Sequence, residues 1–306
     1  MNKIEFGDCR ETMRRWAGEG IKVQTCVTSP PYFGLRDYGH DGQIGLEETP
    51  EQYIEAMVEV FSCVKNILAD DGTLWLNIGD SYSRQGGQAN AQTMANWKDV
   101  HRTAIKASSG ADGCKPKDLI GIPWMLAFAL RADGWYLRQD IIWHKPNPMP
   151  ESVTDRCTKA HEYIFLMSKS PKYYYDHESI KEMANSKSEG IRFGGNKYGD
   201  DNDPKYATKS GNVSKEYEKA NKRSVWTVTT KPYEGAHFAV FPTDLIEPCI
   251  LAGAPVGGVV LDPFMGSGTT AQVAQSLGRQ YLGCELNPEY APLQKKRLAQ
   301  QSLILE

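Results

Sequence analysis

The stretch GVVLDPFMGSGTTAQVAQSLGRQYLGCE, residues 258 to 285, most narrows the folds open to this chain. Its first apolar run reads as a buried strand, Gly266 and Gly268 as a tight turn, and TTAQVAQSL as a helix whose amino end faces that turn. A second apolar run ends at Glu285, 23 residues after Asp262. Two strands joined through a helix lie parallel, which places the unit in an open α/β sheet with helices on its faces. Amides at a helix start hold an anionic group, and an acid at the next strand end accepts from ribose hydroxyls. The layout is that of a nucleoside site.

The glycines alone leave two chemistries open. Gly266, Gly268 and Ala271 satisfy the dinucleotide pattern G-x-G-x-x-G/A, so a nicotinamide-dependent oxidoreductase stands as an alternative. No Gly-Lys-Ser/Thr follows, which excludes a P-loop. The residues before the turn differ from the dinucleotide form: Asp262, Pro263 and Phe264 stand where a strand usually runs straight into glycine. A proline and a large aromatic there suit covering a flat ring or a sulfonium arm better than admitting a pyrophosphate.

The second feature is TSPPYFG at 28–34, directly after the strand-like VQTCV. Two successive prolines end the strand and extend the chain as a stiff arm with no amide donor at Pro30 or Pro31. Ser29 contributes a hydroxyl, the prolines contribute carbonyls, and Tyr32 an aromatic face. Such an arm suits gripping a planar group that bears an amine; it equally suits a proline-rich loop with one packed tyrosine. TPEQYIEAMVEVFSCVKNILADDG then reads as a helix capped by Thr49, with Pro50 in its first turn and Gln52 completing a capping box, and TLWLNIG at 73–79 as a strand. Strand, helix, strand puts the arm outside the carboxyl end of a sheet strand, where open α/β sheets gather ligands.

Further along, DLIGIPWMLAFALRADG reads as helix, LRQDIIWHK and HEYIFLMSK as strands, and TDLIEPCILAGAP as a helix. Residues 84–117 and about 175–222 lack sustained periodicity and read as insertions. Between residues 181 and 231 there are eleven Lys or Arg and seven Asp or Glu, a balance of +4 in a chain of net charge −3. Tyr206, Tyr217 and Trp226 interleave with these charges, a composition that fits a nucleic-acid surface and also a solvated loop. Seven dispersed cysteines without a C-x-x-C pair indicate neither a disulfide framework nor a zinc site, and no metal is expected. The charged amino terminus and the lack of a long apolar run favour a cytoplasmic location without membrane contact.

Taken together, TSPPY followed later by LDPFMGSGTT resembles the paired motifs of the β-class DNA amino-methyltransferases, in which the catalytic S/D-P-P-Y precedes F-x-G-x-G. FGDCRETM at 6–13, HFAVFP at 237–242 and GCELNPEY at 283–290 resemble further motifs of that family in family order. The resemblance implies a Rossmann-like, circularly permuted α/β fold. It implies an enzyme that moves a methyl group from S-adenosyl-L-methionine to the exocyclic amine of a base flipped from double-stranded DNA, leaving S-adenosyl-L-homocysteine. Residues 1–174 would form the catalytic half, 175–222 the target-recognition insertion and 223–306 the cofactor-binding half of one domain; a homodimer is compatible with it. Ser29, Pro30, Pro31 and Tyr32 would hold the base. Asp8, Cys9, Phe241, Thr243, Asp262, Phe264, Gly266, Ser267, Gly268, Thr269 and Glu285 would form the cofactor pocket. Ser at position 29 is associated with cytosine N4 and Asp with adenine N6, which leaves adenine as the alternative product. Pro248-Cys249 imitates the Pro-Cys nucleophile of cytosine carbon-5 enzymes but falls in a helical segment on the wrong side of the glycine turn, and is read as core.

Overall fold

A computed structural model describes residues 1–37, 39–83, 114–184, 218–230 and 241–302. Most of the basic stretch from Lys205 to Lys231, residues 84–113 of the insertion read at 84–117, residues 185–217 of the one read at 175–222, and residues 237–240 of HFAVFP lie outside the described residues. The described chain divides into two compact units, residues 1–176 with 224–306, and residues 177–223.

The larger unit is built on β1 (Lys3–Phe6), β2 (Val23–Thr28), β3 (Leu68–Ile78), β4 (Tyr136–His144), β5 (His161–Ser168), β8 (Val225–Thr227), β9 (Val259–Asp262) and β10 (Gln280–Glu285). These form an eight-stranded sheet in the order β1-β10-β9-β2-β3-β5-β4-β8. All pairings are parallel except those of β5, which runs against β3 and β4. In the smaller unit, β6 (Glu182–Met183) pairs with β7 (Lys219–Ala220), and Arg223 forms an ion pair with Glu182.

Alternation along the central strands sorts the two faces. Cys26, Leu74, Leu76, Phe165, Leu261 and Leu282 belong to one core with residues of α1 (Cys9–Gly18), α2 (Pro50–Ile67) and α3 (Ile122–Ala132). On the opposite face, a Cβ at Gly253 would stand 2.7 Å from Thr25 Oγ1 and 2.8 Å from Trp75 Nε1, so α4 (Thr243–Gly253) lies directly on the sheet there. Its carboxyl end rests near the strand starts, so its amino end points toward their carboxyl ends. The helices α5 (Thr269–Ser276) and α6 (Ala291–Ser302) complete the set.

Two boundaries differ from the sequence reading. α2 stops at Ile67 and β3 begins at Leu68, because β3 reaches back to pair Leu68 with Val23 before a register shift. α3 starts at Ile122 rather than near Asp118: Gly121 takes a left-handed φ of 86°, and the Asp80 carboxylate accepts from the amides of Gly121 and Ile122 at 2.9 and 3.0 Å. A distant acid caps this helix, which local sequence does not reveal. Thr49 caps α2 as read, its Oγ1 accepting from the Gln52 amide at 3.2 Å, whereas the Gln52 side chain accepts from the Glu48 amide at 3.1 Å instead of closing the box on Thr49.

Candidate active site

The strand order reverses between β9 and β2, since the chain passes from β9 outward to β10 on one side and from β2 outward to β3 on the other. A crevice outside the carboxyl ends of strands at such a switch point is where open α/β sheets bind ligands. The arm leaves β2 here and the glycine turn leaves β9 here, one residue beyond Thr28 and Asp262 respectively.

Asp262 joins them. Its carboxylate is buried and accepts from Thr28 Oγ1 at 2.6 Å, Thr270 Oγ1 at 2.6 Å and the Phe264 amide at 3.0 Å. Burial pushes its pKa up to about 6, against the three donors that favour the charged form. The side chain is thus committed to protein groups, tying the end of β2 to the start of α5.

In the turn, Gly266 and Gly268 both take left-handed φ values, 53° and 89°, which explains glycine at these two positions. The Gly266 amide donates to Glu285 Oε2 at 2.7 Å, and Gln294 Nε2 donates to the Gly266 carbonyl at 2.7 Å. Glu285 also accepts from the Asn287 amide at 2.9 Å, and burial raises its pKa. Thr269 opens α5 with its hydroxyl held by Arg297. Ser267 is buried, and its Oγ has no hydrogen-bond partner among the described residues. Such an orphaned hydroxyl inside a glycine turn points to a missing polar partner.

Asp8 follows β1 and caps α1; Arg10 binds its carboxylate, with Nη2 at 2.6 Å from Oδ2, and holds its pKa below the usual range. The Cys9 side chain lies in the core, its thiol pushed up to about 12 by burial, so it offers a ligand its backbone only. Phe264 is half-buried against the core. Phe241 and Thr243 flank the amino end of α4, and Thr243 Oγ1 donates to Asp244 Oδ1 at 3.0 Å. Cys249 is buried within α4, far along the helix from that end.

On the arm, Tyr53 of α2 donates to the Pro31 carbonyl at 2.8 Å. Tyr32 donates to Glu162 Oε2 at 2.8 Å and also engages the Ser29 hydroxyl; burial and the Glu162 charge push its phenol well above its ordinary pKa. Glu162 in turn pairs with Lys145 and accepts from Asn77 Nδ2 at 3.3 Å. Reading the sequence missed Tyr53, Glu162, Lys145, Asn77 and Arg297. The available signal was an ionisable residue at the end of each of the apolar runs IIWHK and HEYIF, where a largely buried charge requires a partner. No helix of the described residues is long and apolar enough to cross a membrane, and none of their His, Cys, Asp and Glu clusters could hold a metal ion.

Residues 23–296 match the family model described as DNA methylase. The chain is 50% identical over 302 residues to the Type II methyltransferase M.SmaI of Serratia marcescens, covering 97% of this chain and 90% of that protein. It is 48% identical to the Type II methyltransferase M.Cfr9I of Citrobacter freundii over 95% of this chain and 86% of that one. Among solved structures, the PvuII DNA methyltransferase (cytosine-N4-specific) superposes with a TM-score of 0.63 at 17% identity, covering 97% of this chain and 86% of that one. A putative DNA modification methylase from Thermus thermophilus, complexed with S-adenosyl-L-methionine, gives 0.59 at 22% identity, covering 98% and 94%. These last two establish a shared fold, and the match across nearly the whole length shows that the chain belongs to the DNA methylase family of N4/N6 amino-methyltransferases.

Proposed function

We propose that this enzyme methylates the N4 amine of cytosine in double-stranded DNA, with S-adenosyl-L-methionine as donor and without a metal. The observation that carries the choice of base is Ser29 at the first position of the S/D-P-P-Y motif, at the end of β2. The family to which the chain belongs associates Ser there with cytosine, and the named Type II relatives suggest a role beside a restriction enzyme.

The turn fits the cofactor. The buried Ser267 hydroxyl supplies a polar group in need of a partner, and Phe264 supplies a flat apolar face. Glu285 engages the Gly266, Asn287 and Leu286 amides, and a carboxylate offers about four acceptor positions, so it retains capacity for a ribose hydroxyl. Phe241 and Thr243 stand at the helix end that would meet the carboxylate of the donor, and Asp8 at the neighbouring strand end. When bound, S-adenosyl-L-methionine supplies an electrophilic methyl group.

The chain's own task is to make a poor nucleophile competent. The exocyclic amine of cytosine is delocalised into its ring; acceptors at the Ser29 hydroxyl and the Pro30 carbonyl favour the tetrahedral nitrogen with its lone pair free. This is transition-state stabilisation by preorganised acceptors. Serine is too weak a base to take the proton first, so proton loss follows methylation. The Pro31 carbonyl is the one Tyr53 occupies, which holds the arm while Pro30 faces the amine. Extruding the base costs a few kcal/mol. Stacking on Tyr32 offsets about 1–3 kcal/mol of that. The insertion at 175–222 and the basic stretch that runs on from it would contribute phosphate contacts and sequence choice.

Digestion of methylated DNA to nucleosides and mass spectrometry decide the product. N4-methylcytosine is the expected result; N6-methyladenine overturns the base assignment and leaves the family membership standing. Neutralising two lysines between Lys205 and Lys231 should weaken binding across DNA sequences and flatten its salt dependence, whereas an unchanged slope returns the segment to a solvated loop.

A further inference from the structure

Glu162 lies near the start of β5, the strand that runs antiparallel to its neighbours, and so faces the carboxyl ends of β3 and β4. Its side chain is 16% exposed, low for a carboxylate, and its polar contacts converge on the arm. One oxygen, Oε2, receives the Tyr32 phenol at 2.8 Å and Asn77 Nδ2 at 3.3 Å; the other, Oε1, receives Lys145 Nζ. Asn77 is itself fixed by the Tyr163 carbonyl at 3.1 Å, and the Lys145 ammonium lies 4.2 Å from the centroid of the Trp143 ring. Glu162 therefore has little rotational freedom of its own. From the other side, Gly79 follows β3 with its α-carbon against the tyrosine ring: a Cβ there would come within 2.7 Å of Tyr32 Cε2. The ring is held at its hydroxyl by a clamped carboxylate and at its edge by a residue that lacks a side chain.

An aromatic platform without such fixation turns about its Cβ–Cγ bond and presents its face over a broad range of angles. We propose that Glu162, clamped by Lys145 and Asn77, is a positioning residue that sets the plane of Tyr32 and so the orientation in which an extruded base presents its amine to Ser29. The proposal rests on the reading of Tyr32 as the stacking face. Its energetic basis is the charge-assisted phenol-to-carboxylate hydrogen bond in a site sheltered from water. Misplacing a reacting group by about 1 Å costs on the order of a hundredfold in rate.

The test uses the full chain, unmodified bacteriophage DNA and radiolabelled S-adenosyl-L-methionine, with S-adenosyl-L-homocysteine affinity measured by calorimetry in parallel. Glu162→Ala should lower kcat on the order of a hundredfold while cofactor-product affinity stays within about twofold, as a group remote from the glycine turn requires. Tyr32→Phe, which keeps the ring and loses the hydroxyl, should lose a comparable factor. The double variant should be no worse than Tyr32→Phe alone, which already removes the hydrogen bond to Glu162 together with the phenol's contact to Ser29. Glu162→Gln, whose amide oxygen still accepts from the phenol, should recover most of the rate. Multiplicative losses in the double variant, or wild-type kcat in Tyr32→Phe, overturn the proposal even if Glu162→Ala proves insoluble. Absence of methyl transfer by the unaltered enzyme would instead remove the reading of Tyr32 on which it rests, and the proposal with it.

Discussion

The arm at Ser29–Tyr32 and the turn at Pro263–Thr269 leave neighbouring strands at the same edge of the sheet, and side chains from remote elements hold both, yet at different groups. The arm is held at a carbonyl and a phenol, by Tyr53 from α2 on the Pro31 carbonyl and by Glu162 from β5 on Tyr32. The turn is held through its backbone amides as well as a carbonyl, with Glu285 on the Gly266 amide, Gln294 on the Gly266 carbonyl and the Met265 amide on the Cys284 carbonyl. Proline accounts for the contrast. An arm with no amide at two consecutive residues has few handles for backbone pairing, whereas a glycine turn exposes both donors and carbonyls. Damage to the arm should accordingly appear in turnover and damage to the turn in cofactor affinity, with Asp262 as the joint that both share.

The largest separation of the two should come from Ser29→Ala. Removing one preorganised acceptor for the reacting amine, together with its contact to the Tyr32 phenol, costs roughly 10²–10³ in kcat. Ser29 lies on the arm, so calorimetric affinity for S-adenosyl-L-homocysteine should stay unchanged. A matching loss of affinity would show that the arm helps to build the cofactor pocket and would dissolve the division.

The turn was the more legible of the two from sequence because its requirements are local. Two left-handed glycines, an acid at each strand end and a helix start within one short stretch announce a strand, turn and helix whatever surrounds them. The arm's prolines were equally visible, but what aims the arm was not. Tyr53, Asn77, Lys145 and Glu162 lie far apart along the chain, and only sheet order and register bring them together. The helix start at Ile122 failed to show for the same reason, as its cap is contributed by Asp80 from beyond the end of β3. The partners of Asp262 were not legible, since Thr28 reaches its carboxylate only once β2 and β9 are adjacent.

Asp262→Asn tests that joint. The folded protein holds the Asp262 proton with a pKa of about 6 against an ordinary 3.8, so it binds the proton more tightly than the unfolded chain does. The native state is therefore favoured most below pH ~4, loses stability as the pH climbs from ~4 to ~6, and is flat with respect to this group above that. The total is about 3 kcal/mol, because a folded-state pKa one pH unit above its unfolded value corresponds to roughly 1.36 kcal/mol. Asparagine fills the same volume; its oxygen accepts from the Thr28 hydroxyl and its amide donates to the Thr270 hydroxyl, so the bridge between strand and helix survives without the buried charge. Urea unfolding midpoints of the two proteins from pH 4 to 7 should diverge, the difference favouring the variant progressively as pH rises. A difference that runs the other way would mean that the carboxylate is stabilised where it sits.

The smallest and sharpest contrast comes from adding one methyl group on each side. At Gly268 a Cβ meets nothing nearer than Gln294 Cγ at 3.5 Å, so the cost of Gly268→Ala is confined to a φ of 89°. That conformation costs a residue with a Cβ about 1–2 kcal/mol. At Gly79 the backbone is ordinary and the new Cβ would sit 2.7 Å from Tyr32 Cε2, so Gly79→Ala displaces the ring without straining the chain. Roughly 1.4 kcal/mol corresponds to tenfold in an equilibrium. Gly268→Ala should then weaken S-adenosyl-L-homocysteine binding by about that factor, because strain at the helix start shifts the turn. Gly79→Ala should leave that affinity intact and lower kcat, because the displaced phenol can no longer reach Glu162. Interchanged results, with kcat lost at Gly268 and affinity lost at Gly79, would mean that the turn aims the base and the arm holds the cofactor.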